Sequence, residues 1–544
     1  MNRIRKFFGI LLCLTIAISY TACKSDISKE TASTGNNNLH IQLNTGVDTL
    51  DCQLAVYDTS FEVLANTNEG LMCMGSDGQP ENGMAESYTV SDDGLTYQFK
   101  LRDAYWSNGN KVTANDFVYG WLRTLSADTA AEYEYLMGAY IKNGDAYFNG
   151  DCSAEEVGLK ALDDTTLQVT LESPCTYFLS LLYLPVYYPL NHEFYESCGG
   201  SYATSPDTLL SNGPFKVASY SAVTTNIELV KNDKYWNTDS IELDTITFQV
   251  IEDSQQALLA YKNNQLDLVS LSGDQVDLYK GNKEYHSVSS AILWYISPNI
   301  SGNKELQNLN LRKALALSYD RDAVANNILR NGSISANYIV PNGLTINEEG
   351  KDYRDCQSEY EAPDKAAAAA YWKKAKEELG IDSLKLTLVY DAEENPINVA
   401  AFLKEEMEKA LDGLTIELKQ MPKESRVDTM MSGDFDLGIT RWGPDYGDPT
   451  TFLDVWRSDN ACNFGKWSNK DYDAIMDKCA SGEYFVDKEA RWSALLEAEA
   501  YIMNDYAAFP IYQEGSAVLM KSTVHNVEFH SYAFNRIYKN ATVD

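Results

Sequence analysis

The sequence predicts an α/β fold built on a parallel β-sheet, and three features of the chain lead to this prediction. Residues 384–441 alternate strand-like and helix-like patterns in the order βαβαβ, which implies a parallel sheet with right-handed crossovers. Hydrophobic residues make up 44% and charged residues 23% of the chain, a balance that excludes disorder for most of it. The length of 544 residues corresponds to three or four domains at about 150 residues each.

The strands of the βαβαβ stretch are predicted from apolar residues at alternating positions. They are LKLTLVY (384–390), LTIELKQ (414–420) and DFDLGIT (434–440). Asn395 and Pro396 open the first connecting helix and Gly413 ends it. The second helix lies within KESRVDTMMSG and is closed by Gly433.

Two more helices are predicted before this stretch. PDKAAAAAYWKKAKEELG carries Pro363 at an early helical position and Gly380 at its end. LRKALALSYDRDAVANNILRNG is predicted to break at Asp320, which caps a second segment. Before residue 290 the sequence is richer in short strands, such as GLTYQFKLR (94–102), and in turns.

The first 22 residues predict export from the cytoplasm. Arg3, Arg5 and Lys6 precede an apolar run from Phe7 to Ile18, which is too short to span a bilayer and is typical of a signal peptide. Since the sequence has no other long apolar run, the rest of the chain is expected outside the cytoplasm.

Cys23 is predicted to carry a lipid anchor. It follows the small residues Thr21 and Ala22, an arrangement that resembles the lipobox of bacterial lipoproteins. Processing there would remove residues 1–22 and acylate Cys23, and the polar residues 23–38 would form a flexible tether. An ordinary secretory signal, cleaved nearby, is the alternative.

Charge and cysteine spacing exclude several classes of partner. The chain holds 44 basic and 79 acidic residues, a net charge of -35, so phosphate backbones repel it and nucleic-acid binding is not expected. Apart from Cys13 and Cys23 eight cysteines remain, and no CxxC pair occurs, which leaves zinc ribbons and thioredoxin-type redox sites without support. An exported protein can form disulfides, but the spacing does not show which cysteines pair.

No catalytic motif supports an enzyme. The chain has five histidines, none of them in an HExxH pair, and it has no GxSxG elbow, P-loop or GxGxxG. Triads or metal sites built from residues far apart in the sequence leave no such signature, so they stay open. The sequence therefore predicts neither a metal nor a cofactor.

The segment with the most distinctive chemistry is TRWGPDYGDPTTFL (440–453). It follows a predicted strand of an α/β sheet, and ligands bind beyond the carboxyl ends of such strands. Asp448 is predicted to be a helix N-cap, with Pro449 as the first helical residue. Asp445 has no such structural role, so beside Trp442 it can accept a ligand ammonium. The alternative is that Asp445 caps a turn.

Five segments in the same order resemble the family 5 extracellular solute-binding proteins of ABC importers, which include the oligopeptide- and dipeptide-binding proteins. The resemblance covers nearly the whole chain after the signal peptide. The segments are DDGLTYQFKLRDAYWSNGNKVTANDFVYGWLR (92–123), SNGPFKVASY (211–220), KNDKYWN (231–237), LRKALALSYDRDAV (311–324) and WGPDYGDPTTFLDVW (442–456).

The resemblance implies a two-lobed, periplasmic-binding-protein-like fold of the class II type, with an extra subdomain in lobe I. Lobe I would comprise residues 39–66, 210–290 and 511–544. The extra subdomain would comprise residues 67–209, and lobe II residues 291–510. The two lobes would close on the ligand, and the chain would be a monomer.

The resemblance also implies which residues bind the ligand. Asp445 stands where peptide-binding members pair an aspartate with the peptide α-ammonium. The other implied contacts are the backbone of Arg441, Trp442 and Gly443 beside the peptide main chain, Val56, Tyr57 and Asp58 from lobe I, and Tyr133 from the extra subdomain. Tyr135, two residues after Tyr133, leaves the register of the last contact open.

The chain departs from the family pattern at the far end of the site. Some members hold the peptide carboxylate with arginines where this chain has Ile439 and Met430. The segment PKES (422–425) also lacks a tryptophan that lines a side-chain pocket in some relatives. Peptide length and side-chain preference are therefore left open.

The function implied by the resemblance is that of a substrate-binding lipoprotein at the outer face of the cell membrane. It would capture short peptides and deliver them to the transmembrane subunits of an ABC permease, without catalysis. The alternatives are the same receptor fold binding a sugar or a metal chelate, and an exported hydrolase. Asp445 favours peptides, because those other ligands offer no α-ammonium.

Overall fold

The computed structural model describes residues 37–221, 226–357, 360–480 and 482–544. The predicted signal peptide (1–22), the lipidation site Cys23 and all but the last two residues of the tether (23–38) lie outside the described residues. Within the described ranges, no helix combines the length and the apolar character that crossing a membrane requires.

The β-strands range from two to fourteen residues in length. In chain order they are β1 (Asn38–Leu43), β2 (Met72–Met74), β3 (Pro80–Asn82), β4 (Ala85–Val90), β5 (Thr96–Leu101), β6 (Leu159–Asp163), β7 (Thr166–Thr170), β8 (Phe215–Ser219), β9 (Asn226–Lys231), β10 (Thr245–Val250), β11 (Leu268–Leu271), β12 (Tyr285–Pro298), β13 (Ile334–Ser335), β14 (Leu384–Asp391), β15 (Leu414–Met421), β16 (Leu437–Trp442), β17 (Phe509–Met520), β18 (Val524–His525), β19 (Glu528–Phe529), β20 (Arg536–Ile537) and β21 (Thr542–Val543).

The longest α-helices lie in the second half of the chain. In chain order the helices are α1 (Asp58–Thr67), α2 (Ala114–Thr124), α3 (Tyr135–Gly138), α4 (Gly144–Phe148), α5 (Phe178–Leu181), α6 (His192–Cys198), α7 (Ser254–Lys262), α8 (Asp274–Tyr279), α9 (Leu309–Leu317), α10 (Arg321–Ala323), α11 (Lys365–Leu379), α12 (Glu394–Ala410), α13 (Lys423–Ser432), α14 (Thr450–Leu453), α15 (Lys470–Ala480) and α16 (Lys488–Asn504).

One large sheet runs through the molecule in the strand order β15-β14-β16-β12-β17-β11-β1-β10-β9-β8, with β13 also paired to β17. The two central strands, β12 and β17, are the longest, at 14 and 12 residues. Their pairing shifts register between Ser289 and Leu293 and again between Trp294 and Tyr295. The sheet thus has two halves that share β12 and β17, and helices pack on its faces, so the fold is a two-lobed α/β fold.

The predicted βαβαβ unit is confirmed. Strand β14 pairs in parallel with β15 on one side and with β16 on the other, and α12 and α13 make the crossovers. The third strand begins at Leu437, three residues later than predicted, and continues through Trp442. The Asp436 carboxylate accepts a 2.7 Å hydrogen bond from the Thr387 amide, so a side chain replaces the backbone pairing before that point.

Glycines end the predicted helices where a left-handed conformation is needed. Gly380 (φ 68°) follows α11, and Gly433 (φ 77°) follows α13, as predicted. Helix α12 instead ends at Ala410, and Gly413 (φ 89°) lies in the turn before β15. A Cβ at Gly413 would approach the Asp382 carbonyl oxygen to 2.8 Å, so the turn itself requires glycine.

Aspartates cap two helices of the second half. Asp320 accepts a 2.9 Å hydrogen bond from the Ala323 amide and begins α10, which continues as a π-helical segment from Val324 to Leu329, so the predicted break is confirmed. Asp364 caps α11, and Pro363 therefore lies before the cap rather than inside the helix as predicted.

The first half of the chain adds a second, four-stranded antiparallel sheet in the order β4-β5-β7-β6. It lies within residues 67–209, the range predicted for the extra subdomain, although the subdomain bounds themselves stay a prediction. Helix α2 packs on β6 and β7, and its buried Trp121 donates a 2.6 Å hydrogen bond to the Tyr187 carbonyl. The eight cysteines of the described ranges are all free thiols.

Candidate functional site

A cavity of about 250 Å³ lies where several parts of the chain meet. Its wall combines the start of α1, the region of α3, the central strand β12, the loop after β16 and the C-terminal segment. The lining residues are Val56, Asp58, Phe61, Tyr133, Leu136, Leu184, Ser290, Ile292, Gly443, Pro444, Asp445, Ser531, Tyr532, Ala533 and Asn535. Five of the residues predicted to bind ligand are therefore brought together: Val56, Asp58, Tyr133, Gly443 and Asp445.

Asp445 lies in the loop just after β16, and hydrogen bonds fix its position. Its backbone amide donates a 3.0 Å hydrogen bond to Thr451 Oγ1, and the Trp442 indole donates a 2.6 Å hydrogen bond to the Thr451 carbonyl. These two bonds tie both ends of the turn to α14. The Asp445 side chain is half-buried, and no basic side chain of the described ranges lies within 4.0 Å of it.

The surroundings of Asp445 disfavour its negative charge. Burial raises the pKa of the Asp445 carboxyl to about 6, while a hydrogen bond from the Tyr135 hydroxyl opposes the rise. Burial, and then the charge of Asp445, raise the pKa of Tyr133 to about 12 and that of Tyr135 further. At neutral pH the site therefore presents a carboxylate that lacks a cation and is flanked by two tyrosines.

A second carboxylate faces the cavity from the start of α1. Asp58 accepts hydrogen bonds from the Thr59 amide (2.9 Å) and from Asn535 Nδ2 (3.1 Å). The lining includes no lysine, arginine or histidine among the described residues. The cavity thus has a negative potential that attracts a ligand ammonium. Tyr57 caps α1 with its side chain 60% exposed, outside the cavity wall.

The backbone of β16 has an open edge beside the cavity. One edge pairs with β12 from Leu437 to Trp442. The other edge pairs with β14 only at Leu437 and Gly438. Within the part of the chain that the structure describes, no strand covers that edge at Arg441 and Trp442, so their backbone groups are open to an added strand.

The Arg441 and Trp442 side chains do not line the cavity. The Arg441 guanidinium lies 5.1 Å from the centre of the Trp294 ring. The Trp442 indole holds Thr451, as described above, rather than an apolar part of a ligand. At the cavity, both residues therefore present backbone groups and make no side-chain contact.

The far end of the predicted site has no arginine clamp at the two expected positions. Ile439 and Met430 are fully buried. Ile439 packs in the core between β16 and the helices of that half, and Met430 contacts Gly438. Neither side chain reaches the cavity wall.

Asp448 has a structural role, but the prediction that it is the helix N-cap is wrong. Pro449, not Asp448, is the N-cap of α14. Asp448 Oδ1 still accepts bonds from the Thr450 amide (3.0 Å) and hydroxyl (2.7 Å). Arg491 on α16 adds two bonds of 2.7 and 2.8 Å. Burial would raise the pKa of Asp448, but Arg491 and Thr450 outweigh it and hold this pKa below its usual range.

Sequence reasoning missed the contribution of the C-terminal segment. Tyr532 lines the cavity and is fixed by hydrogen bonds with the Tyr183 hydroxyl (2.6 Å) and the Gly78 carbonyl (3.2 Å). Its partners lie hundreds of residues away, so no local pattern indicates it. Tyr135, in contrast, lies two residues from Tyr133 and was within reach of the sequence argument. No cluster of three or more potential metal ligands occurs among the described residues.

Comparisons with known proteins agree on one family. A family model described as bacterial extracellular solute-binding proteins, family 5, matches residues 79–464. The dipeptide-binding protein of Lactococcus lactis subsp. cremoris is 32% identical over 555 residues, which cover 99% of each chain. The oligopeptide-binding protein OppA of Bacillus subtilis is 31% identical over 494 residues, 88% of each chain. The structure of Listeria monocytogenes OppA bound to peptide is 36% identical, with a TM-score of 0.72, over 94% of this chain and 99% of that one.

Proposed function

This chain belongs to the family 5 bacterial extracellular solute-binding proteins, and from that premise we propose that it captures short peptides for an ABC importer. Its two-lobed fold is the fold of OppA-type receptors. The peptide would be held between the lobes and delivered to the transmembrane subunits of the permease. Hydrolysis of ATP is the work of the transporter, so this chain acts as a receptor and not as an enzyme.

The unpaired carboxylate of Asp445 carries this proposal. A carboxylate that is half-buried, without a cation and with its pKa raised to about 6 gains most from a ligand that supplies a positive charge. The α-ammonium of a peptide supplies that charge with three donors. Tyr133 and Tyr135, which flank the carboxylate, provide a polar and aromatic wall around the first residue of the peptide.

The open edge of β16 supports recognition of the peptide main chain. A peptide laid along Arg441 to Gly443 would bond to backbone groups as an added strand does. Gly443 is exposed, and a Cβ there would approach Ile292 to 3.3 Å. Backbone contacts of this kind accept peptides of many sequences, because they do not read side chains.

Contacts between the two predicted lobes support closure around the ligand. Tyr446, in the loop of Asp445, stacks on Tyr177 of the predicted extra subdomain with ring centres 4.3 Å apart. The hydroxyl oxygens of Tyr177 and Tyr140 lie 3.3 Å apart. Because each lobe supplies part of the site, ligand contacts favour the closed form. The permease would recognise that form.

The location follows from the family and the N-terminal sequence. Members of the family are extracellular solute-binding proteins. Attachment of this chain to the outer face of the cell membrane through acylated Cys23 is our proposal from the sequence, as is its monomeric state. Substitution of Cys23 by alanine should release the protein from the membrane fraction of its producing cells.

Native mass spectrometry of the purified protein tests the peptide proposal. We expect a mixture of short peptides to be released on denaturation, and Asp445→Ala to be isolated without them. Asp454→Asn is the matched control, since Asp454 is a partly buried aspartate outside the cavity wall. Release of a single sugar or metal chelate would contradict the peptide proposal but would agree with a two-lobed receptor for another solute.

A further inference from the structure

Asp58 is the second carboxylate of the ligand cavity, and it forms no ion pair within the described ranges. It occupies the first position of α1, and its oxygens accept hydrogen bonds from the Thr59 amide and from Asn535 Nδ2, which are neutral groups. The charge of Asp58 also acts on Arg536, but the Arg536 guanidinium is buried and pairs with Glu62 at 2.8 Å. Asp58 therefore presents an unpaired negative charge at an exposed position.

Aromatic side chains connect Asp58 to Asp445 along the cavity wall. Phe61 follows Asp58 by three residues on α1, so the two side chains lie on the same side of the helix. The Phe61 ring meets the Tyr133 ring edge-on, with centres 6.0 Å apart. The charge of Asp445 helps to raise the pKa of Tyr133 to about 12, so that carboxylate lies close to the second ring. All four residues line the cavity, and a ligand meets apolar surface between one negative charge and the other.

We propose that this receptor prefers peptides with lysine or arginine among their first two residues, and that Asp58 determines the preference. This inference rests on the proposed function. The α-ammonium of the peptide pairs with Asp445, and the basic side chain follows the aromatic wall to Asp58. Lysine and arginine suit this path, because their apolar stems pack on apolar surface while the charged end stays in a polar place. The faces of Phe61 and Tyr133 add attraction for the cation.

The size of the cavity limits the preference to the start of the peptide. Its volume of about 250 Å³ lies below the usual range for drug-sized ligands, so only the first residues of a peptide enter it. Main-chain contacts along β16 accept many sequences, as described above. The charge of Asp58 then ranks those sequences by the side chain that reaches it.

The two carboxylates belong to different predicted lobes, Asp58 to lobe I and Asp445 to lobe II. In the empty protein, two negative charges that face one cavity repel each other and oppose its closure. A peptide with a basic residue near its N-terminus carries two cations and can pair with both. Such a ligand favours the closed form more than a peptide with the ammonium alone, because a ligand shifts an equilibrium by its differential affinity for the two states.

Calorimetry on the whole protein with alanine tripeptides tests the preference. Each tripeptide carries one lysine or, as its neutral counterpart, one norleucine, at the first, second or third position. We expect lysine to bind about fivefold more tightly than norleucine at the better of the first two positions, the upper end for a partly exposed ion pair. At the third position the two should differ by less than about twofold. Salt at about 0.15 M screens charges beyond about 8 Å and so isolates the local contact.

Three variants assign the preference to Asp58. Asp58→Asn should abolish it, because asparagine keeps an oxygen for the Thr59 amide and Asn535 but has no charge. Asp58→Glu keeps the charge and should retain the preference. Asp151→Asn is the matched control, since it removes the same charge at an exposed position outside the cavity wall, and it should leave the fivefold preference intact.

The outcomes separate failure of this inference from failure of the proposed function. Equal affinity of the wild-type protein for lysine and norleucine at both of the first two positions would overturn the preference, and peptide binding itself would stand. A preference that survives in Asp58→Asn, or that is lost equally in Asp151→Asn, would overturn the role of Asp58 and indicate the overall charge of -35. Absence of binding by every peptide, with or without lysine, would overturn the proposed function and this inference with it.

Discussion

The loop after β16 has two aspartates three residues apart in opposite environments. At its front, Asp445 faces the cavity without a cation, and burial raises its pKa to about 6. At its back, Asp448 is 7% exposed, and Arg491 and Thr450 bind it with four hydrogen bonds. An aspartate therefore stabilises the fold at one end of the loop, and at the other end an aspartate is, in our proposal, the partner of the ligand ammonium. A rigid back end is what keeps the unpaired front carboxylate in place.

The largest effect is expected on the stability of the fold, from substitution of Asp448 at the back of the loop. Asp448→Asn should lower the free energy of unfolding by about 3–5 kcal/mol, because it leaves the buried Arg491 charge unpaired. Urea denaturation measures this loss. Asp448→Leu combined with Arg491→Met should recover most of it, since replacing a buried ion pair by apolar residues is often neutral. A single Asp448→Asn variant as stable as wild type would show that the pair does not anchor the loop.

The next largest effect is expected on peptide binding, from substitution of Asp445 at the front of the loop. Asp445→Asn should weaken peptide binding by about 2–5 kcal/mol, because the peptide ammonium loses its partner. Calorimetry with a peptide recovered from the protein and its N-acetylated form gives a double-mutant cycle. Acetylation should cost wild-type protein as much as the substitution does, and cost Asp445→Asn little. An equal cost of acetylation in both proteins would show that Asp445 does not bind the ammonium.

Peptide affinity should also fall at acid pH. The free-protein pKa of Asp445 is about 6 and the ammonium binds the ionised form, so affinity should be constant above pH 7 and roughly tenfold lower at pH 5. Tyr135→Phe removes a bond that lowers this pKa and should move the midpoint upward. Asp454 also has a pKa of about 6, which burial raises, but it lies outside the cavity wall, so Asp454→Asn should leave the pH profile unchanged.

A smaller effect of opposite sign is expected for the stability of the peptide-free protein. The folded-state pKa of Asp445 is raised above its unfolded value, so its contribution to stability is lost as pH rises from about 4 to about 6. Above pH 7 Asp445→Asn should therefore stabilise the empty protein, by about 1 kcal/mol because water reaches part of the carboxyl group. Urea denaturation of the wild-type and Asp445→Asn proteins at pH 7.5 and pH 3.5 measures this gain in stability. A gain at pH 3.5 as large as that at pH 7.5 would contradict the electrostatic cause.

The smallest effect is expected at the peptide C-terminus. Ile439 and Met430 are buried apolar side chains, so amidation of the peptide carboxylate should change its affinity by less than about 0.5 kcal/mol, the size of an exposed ion pair. Calorimetry with matched acid and amide peptides measures this change. A loss comparable to that from N-acetylation would mean that a basic residue elsewhere, such as Arg441, binds the carboxylate.

Much of the fold could be predicted because its signals are local. Apolar alternation identified β14 and β15, and the glycines at 380 and 433 marked helix ends that need a left-handed conformation. Two of the errors occurred where a side chain intervenes. Strand β16 begins late because the Asp436 carboxylate replaces backbone pairing, and α11 begins after Pro363 because Asp364 caps it.

The candidate site likewise combines residues that a local sequence pattern indicates with residues that no local pattern indicates. The type and order of residues from Trp442 to Asp448 predicted the ligand loop, and the predicted cap role of Asp448 left Asp445 as the candidate ligand residue. The family resemblance then implied its pairing with a peptide ammonium. The register of Tyr133 and Tyr135 stayed open, because both rings reach the carboxylate only once α3 is packed against the loop. The lining by residues 531–535 had no local signal at all.

The sequence by itself determined the acidic composition, the helix ends at Gly380 and Gly433, and the presence of two aspartates in one loop. Only the tertiary structure decided which aspartate is paired. Arg491 lies 43 residues beyond Asp448, and α16 brings its guanidinium to Asp448 and not to Asp445. The charge state and role of a carboxylate depend on which groups surround it in space, and distance along the chain does not measure that.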